Sequence, residues 1–187
     1  MTILVRPATV ADAVRLSRFC ATTFRETFES ENTSENISRY LAEAFTPDRQ
    51  AAEIIDPAGT MRVAERRNPA EEPELVGYVH LLAGPAPVAI EGPAPVELKR
   101  LYVAAAWHGR GVAQLLMEAA LDSARARGAQ TLWLGVWERN PRALAFYAKY
   151  GFTRVGEHTF VLGTDEQRDW LLTLPLTAVP PSSRGPN

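Results

Sequence analysis

The sequence has one cysteine in 187 residues, Cys20, so no intrachain disulfide can form and a reducing compartment, the cytoplasm, is the expectation. Its three histidines, His80, His108 and His158, are scattered without metal-ligand spacing, and no metal centre is expected. No apolar run is long enough to span a bilayer, and the stretch before Pro7 is too short for the apolar core of a secretory signal. The net charge is only −2, with no basic footprint for nucleic acid and no polybasic arm for a membrane surface. There is no Gly-x-Ser-x-Gly elbow, and Cys20 falls on an amphipathic segment where a core role fits better than a nucleophilic one. What remains is an ordinary soluble composition, 46% hydrophobic and 22% charged, in a length that suits one domain.

The chain reads as a strand at Ile3–Arg6 and then a helix over Thr9–Glu26, with Val10, Val14, Leu16, Phe19 and Phe24 facing inward. Thr33 or Ser34 caps a second helix running to Ala44, and Thr46-Pro47 opens a third that ends near Asp56. Strands follow at Met61–Glu65 and Leu75–Leu82, then a Gly/Pro-rich loop over Gly84–Pro95. Val96–Val103 is a strand whose alternation slips between Leu98 and Leu101, the mark of a β-bulge. Gly111–Arg127 is a helix with Val112, Leu115, Leu116 and Ala119 on one face. Thr131–Trp137 is a strand, Asn140-Pro141 opens a last helix closed by Gly151, and Phe152–Glu157 and Asp169–Leu176 are the final strands. No internal repeat is present. Residues 1–177 form the expected domain, and 178–187, rich in Pro and Ser, an expected disordered tail.

The most informative segment is Val96 to Arg127. A strand leads through a short loop to His108-Gly109-Arg110-Gly111-Val112-Ala113, which opens an amphipathic helix. Unpaired amides and partial positive charge at a helix N-terminus favour an anion, and glycines let it approach the backbone. A P-loop would need Gly-Lys-Ser/Thr at the helix start, and a dinucleotide fingerprint would need a third glycine where Gln114 stands. The segment resembles instead the phosphate motif of the GNAT acetyltransferase superfamily, Gln/Arg-x-x-Gly-x-Gly/Ala, with His108 departing from the usual first residue. The resemblance implies that His108, Gly109, Arg110, Gly111, Val112 and Ala113 cradle the pyrophosphate of acetyl-CoA. It also implies that Leu101, Tyr102 and Val103 form a bulged strand whose backbone pairs with pantetheine.

A second stretch, Asn140-Pro141-Arg142-Ala143-Leu144-Ala145-Phe146-Tyr147-Ala148-Lys149-Tyr150-Gly151-Phe152, is similar to the GNAT ending. By that resemblance Tyr147 protonates the departing CoA thiolate, Asn140 reaches the pantetheine arm and Lys149 approaches the CoA phosphates. A core aromatic beside Phe146 and a solvated lysine are the plain alternatives for Tyr147 and Lys149. Aminolysis of a thioester needs a neutral amine, while an alkylammonium has a pKa of about 10.4, so a proton must first be removed. Glu97, on the central strand, is the candidate base; a water relay or an ordinary exposed glutamate is the alternative.

The implied fold is α/β (α+β): a mixed, mostly antiparallel central sheet, splayed at the acetyl-CoA site and flanked by helices. Within the superfamily the chain resembles PaiA-like polyamine acetyltransferases in three stretches: Asn32–Asn36 with Tyr40–Phe45, Val136–Asn140, and Gly156–Gly163 with Asp165 and Asp169. A spermidine- or spermine-like acceptor follows from that likeness, with Phe28, Glu31 and Tyr40 as acceptor contacts in an acidic, aromatic turn. Acetylation of another small amine or of a protein N-terminus, and a non-catalytic acyl-CoA-binding sensor or scaffold, are the competing readings. A homodimer is the family expectation.

Overall fold

A computed structural model describes residues 2–162 and 165–176, and these hold seven strands and five α-helices. The strands are β1 (Thr2–Pro7), β2 (Gly59–Arg67), β3 (Glu74–Ala83), β4 (Pro95–Val103), β5 (Thr131–Trp137), β6 (Thr153–Leu162) and β7 (Asp165–Pro175). The helices are α1 (Ala13–Phe28), α2 (Ser34–Ala44), α3 (Pro47–Ile55), α4 (Val112–Ala126) and α5 (Pro141–Lys149). One sheet runs in the order β1-β2-β3-β4-β5-β7-β6, antiparallel at every junction except β4–β5. This is the mixed α/β architecture expected from the sequence. The expected tail, together with Thr177 and Gly163, lies outside the described residues. No helix among the described residues is long and apolar enough to cross a membrane.

Helices cover both faces of the sheet. On one face Leu16, Cys20, Phe24, Ile37 and Leu41 of α1 and α2 bury against Met61, Val63 and Tyr78. On the other, Val112, Leu116, Met117, Ala120 and Ala124 of α4 meet Ala64, Val76, Val79, Leu81 and Val96. The helix starts obey the capping rules: Thr33 accepts from the Asn36 amide, Thr46 from the Arg49 amide and Asn140 from the Ala143 amide.

Two helix faces differ from the sequence reading. Val10 and Val14 are exposed at 53% and 52%, because Val10–Asp12 is a 3-10 turn and α1 starts only at Ala13. That start rotates the buried stripe onto Ala13, Leu16, Ser17, Cys20 and Phe24. In α4, Leu115 is 40% exposed, and the stripe that reaches the sheet continues through Met117 and Ala120. The last two strands are also longer than expected. Their pairing runs on through His158–Asp169, Thr159–Arg168 and Phe160–Gln167 to Val161–Glu166. β6 is an edge strand, so its residues carry no strict apolar alternation by which its length could be read.

The expected bulge is present. Opposite β3, Arg100 pairs with His80 but Leu98 with Leu81, leaving Lys99 as the extra residue. A bulge reverses the alternation. Leu98 and Leu101 therefore both face the α4 side, while Glu97 and Arg100 both face the α1–α3 side.

The start of the chain is tied down by charge. Arg6 donates to Asp12 at 2.8 Å and to Glu65 at 2.6 Å, and Arg15 pairs with both carboxylates. Asp12 and Glu65 are buried, so the network anchors β1 and the entry to α1 onto β2. The hydrogen-bonded Arg6 guanidinium holds the Glu65 carboxyl down at about 2, below its ordinary 4.5. The stabilisation is therefore complete above about pH 4.5 and is lost as pH falls through about 2. Glu65→Gln is expected to lower the unfolding free energy at pH 7 by on the order of 3 kcal/mol. In urea melts the gap to the wild type should close as the pH approaches 2; a gap constant across that range would contradict this account.

Candidate active site

β4 and β5 pair only through Pro95–Thr131, Val96–Leu132 and Glu97–Trp133. Beyond Glu97, β4 stays with β3, while β5 stays with β7. The sheet therefore splits, and one side of β4 from Leu98 onward has no strand partner. Backbone N–H and C=O groups need partners when they are shielded from water, so such an edge suits an extended amide-bearing ligand. Two cavities flank the split, of about 450 Å³ on the α4–α5 side and about 270 Å³ on the α1–α3 side. They share Thr27, Leu101, Tyr102, Asn140, Ala143 and Tyr147.

The larger cavity gathers the residues that the sequence assigns to acetyl-CoA. Leu101, Tyr102, Val103, His108, Gly109, Gly111, Val112, Ala113, Asn140 and Lys149 line it. Arg110 does not line it; its guanidinium lies over the Trp107 ring at 5.4 Å. Gly109 and Gly111 have φ of 73° and 83°, the left-handed region that favours glycine. An added Cβ at either position meets nothing within 4 Å, so both glycines leave open space before the α4 N-terminus. That space, with the first amides of α4 beside it, fits a pyrophosphate.

His108 has a structural task of its own. Its Nδ1 lies 2.7 Å from Arg142 Nη1, and its Nε2 lies 2.9 Å from the Val103 carbonyl. Arg142 donates to Nδ1, so Nε2 carries the hydrogen given to Val103. The ring thereby ties the phosphate loop to β4 and directs Arg142, from the first turn of α5, into the same cavity. Arg142 is a cation that sequence reasoning missed; its position depends on a contact between residues 34 apart.

Tyr147 is 9% exposed and sits where the two cavities meet. Phe146 and Phe152 pack against its ring, at 5.6 and 5.5 Å between centroids. Burial pushes its phenol well above the ordinary value, so it stays protonated at neutral pH. Cys20 is buried, and burial drives its thiol up to about 12, which leaves no nucleophilic thiolate.

The smaller cavity is lined by aromatic rings and charges from several elements. Phe28 and Tyr40 are there as expected, with Phe24, Phe45, Trp137 and Phe160. Glu97 lines it, and burial raises its carboxyl. Glu31 does not; it lies in an adjoining open groove of about 710 Å³, 3.6 Å from Arg139. Four ionisable residues here escaped the sequence analysis as site residues: Lys99, Arg100, His158 and Asp169. Arg100 donates to Glu53 at 2.6 Å and lies over Phe45 at 5.0 Å, while His158 and Asp169 face each other across β6 and β7. The bulge at Lys99 was the available signal for Arg100, because it turns residues 97 and 100 to one face.

The sequence matches the Acetyltransferase (GNAT) family over residues 22–152. It is 35% identical over 150 residues to an uncharacterised N-acetyltransferase of Lactobacillus delbrueckii subsp. lactis, covering 80% of this chain and 84% of that one. An uncharacterised N-acetyltransferase of Mycobacterium tuberculosis is 32% identical over 163 residues, with 87% and 97% covered. The PaiA N-acetyltransferase of Thermoplasma acidophilum, solved with coenzyme A, superposes with a TM-score of 0.73 over 94% of this chain and 99% of that one; at 18% identity this is a likeness of fold. The split sheet, the glycine cradle and these sequence matches agree: the chain belongs to the GNAT family and is an acetyl-CoA-dependent N-acetyltransferase.

Proposed function

We propose that the chain acetylates a primary amine by direct attack inside one ternary complex, and that the acceptor is an aliphatic polyamine such as spermidine or spermine. The observation that carries this reading is the meeting of the two cavities at Tyr147. Acetyl-CoA supplies an activated acetyl thioester from the glycine-cradle side. The amine enters from the aromatic side, and Glu97, its carboxyl raised by burial, takes the ammonium proton directly or through water. Tyr147 gives its phenolic proton to the leaving sulfur. Asn140 and Lys149 hold the cofactor arm and phosphates from α5.

A polyamine is supported by the make-up of the smaller cavity. Phe28, Tyr40, Trp137 and Phe160 offer ring faces to methylene chains and ammonium groups, and Glu97 and Asp169 offer carboxylates. The adjoining groove sets Glu31, Glu138, Glu157 and Glu166 against Arg139 and Arg168, so its balance beyond the cavity mouth is negative. A second reading rests on Arg100. Among the described residues only its Nη1 donates to a protein acceptor, and the residue lines the cavity, which favours an amine that also bears a carboxylate. The buried free thiol of Cys20 suits a reducing cytoplasm.

Release of free CoA across a panel of polyamines and amino acids tests the reading. Polyamine-dependent release is expected, and Tyr147→Phe should lower kcat about 100-fold with little change in KM. Stimulation by amino acids alone would move the assignment to the Arg100 reading. Acetyl-CoA binding without amine-dependent release would favour a sensor or a protein acceptor. The same reading includes a homodimer through edge strand β6, where Val155 and Val161 are exposed at 42% and 55%. Light scattering is expected to give twice the chain mass; a monomer at working concentration removes the dimer.

A further inference from the structure

Besides Glu97 and Tyr147, the acceptor cavity holds a second titratable pair that the proposed chemistry leaves unused. His158 on β6 and Asp169 on β7 are direct cross-strand partners, with Nε2 3.7 Å from Oδ2. Sheet register puts them on the same face as Glu97. Asp169 is opposite Trp137 of β5, Gly135 lies two residues earlier on that strand, and Trp133, two earlier again, is opposite Glu97. The seat for the imidazole is made by a missing side chain. A Cβ added at Gly135 would stand 3.1 Å from His158 Nε2 and 3.5 Å from Asp169 Oδ2. Any larger residue there would displace the ring.

The surrounding charges leave His158 between two carboxylates. On β4, Lys99 and Arg100 lie 3.5 and 2.6 Å from the single Glu53 carboxylate, and Glu97 lines the same cavity as both cations. On β7, Arg168 pairs with Glu138 at 3.0 Å and lies 3.7 Å from Glu157 of β6. Arg139, after β5, faces Glu31 at 3.6 Å. Asp169 is 16% exposed at its side chain, and burial raises its carboxyl while His158 opposes that rise. His158 is 40% exposed and lines both the acceptor cavity and the open polar groove, so one ring touches the reaction space and water.

We propose that His158 is the proton outlet of the acceptor site, oriented by Asp169 in the space above Gly135. The inference rests on the acetyl-transfer reading above. The N–H bond of the ammonium breaks, and its proton passes through Glu97 or a water to His158 and then to solvent in the groove. The freed nitrogen pair forms the C–N bond, the C–S bond breaks and the sulfur takes the Tyr147 proton; the second N–H proton, lost as the amide forms, returns through water to the Tyr147 phenolate, so one proton leaves the enzyme per turnover. Asp169 is a positioning residue: its carboxylate, 3.7 Å from Nε2, holds the ring in the space above Gly135.

His158→Gln is expected to lower kcat on the order of 100-fold at pH 7 and to flatten the acidic limb of the pH–rate profile. Imidazole added to a His158→Gly variant should restore part of the rate. Asp169→Asn should lower kcat with little change in KM, because the ring loses the carboxylate that positions it. An unchanged kcat and an unchanged acidic limb in His158→Gln would overturn the proposal. NMR contacts between the His158 ring and the Gly135 α-protons in wild type and Asp169→Asn need no turnover: their loss in the variant is expected, and an unchanged ring position would overturn the Asp169 role. Wild-type protein that releases no CoA with any amine would instead defeat the acetyl-transfer reading, leaving the ring contacts to test the pair.

Discussion

Three rungs of parallel pairing, Pro95–Thr131 to Glu97–Trp133, hold β4 to β5, and the site depends on the pairing ending there. A sheet that stayed closed would have no route from one face to the other. Because β3 keeps β4 and β7 keeps β5 past that point, both strands remain rigid while the space between them opens. The residues of the opening are thus carried on strands, whose geometry is more exact than that of loops. Helix α5 fits against the gap and brings Tyr147 to the junction of the two cavities.

The bulge at Lys99 is the second constraint. With strict alternation, Glu97 and Leu101 would share a face, and Arg100 would turn into the apolar side. The extra residue lets Leu98 and Leu101 stay in the core with α4 while Glu97 and Arg100 point to the smaller cavity. Arg100 is tolerable in so buried a place because Glu53 and the Phe45 ring meet it. The same economy recurs at Gly135, where an absent side chain makes room for the His158–Asp169 pair.

The cofactor side was legible in the sequence because its information is local. Gly109 and Gly111 before an amphipathic helix, and Asn140-Pro141 before Tyr147, are short patterns whose conformations follow from their own residues. Even the bulge showed itself, as a slip in one strand's alternation. The acceptor side was less legible because its parts come from distant segments. Arg100 with Glu53, His108 with Arg142, and His158 with Asp169 are pairs that only tertiary packing creates. Glu31 shows the same limit: it is close to Phe28 in sequence, but the chain carries it into the neighbouring groove beside Arg139. Val10 and Val14 failed for a local reason, since a single 3-10 turn rotates the phase of a helix stripe.

The central claim is that acetyl donor and amine meet at one time across the split sheet, with no acetyl group resting on the protein. Initial rates measured while acetyl-CoA and an accepted amine are varied together test it most directly. The account predicts double-reciprocal lines that intersect, as for a ternary complex. Parallel lines, with acetylated protein detected by mass spectrometry before amine is added, would contradict it.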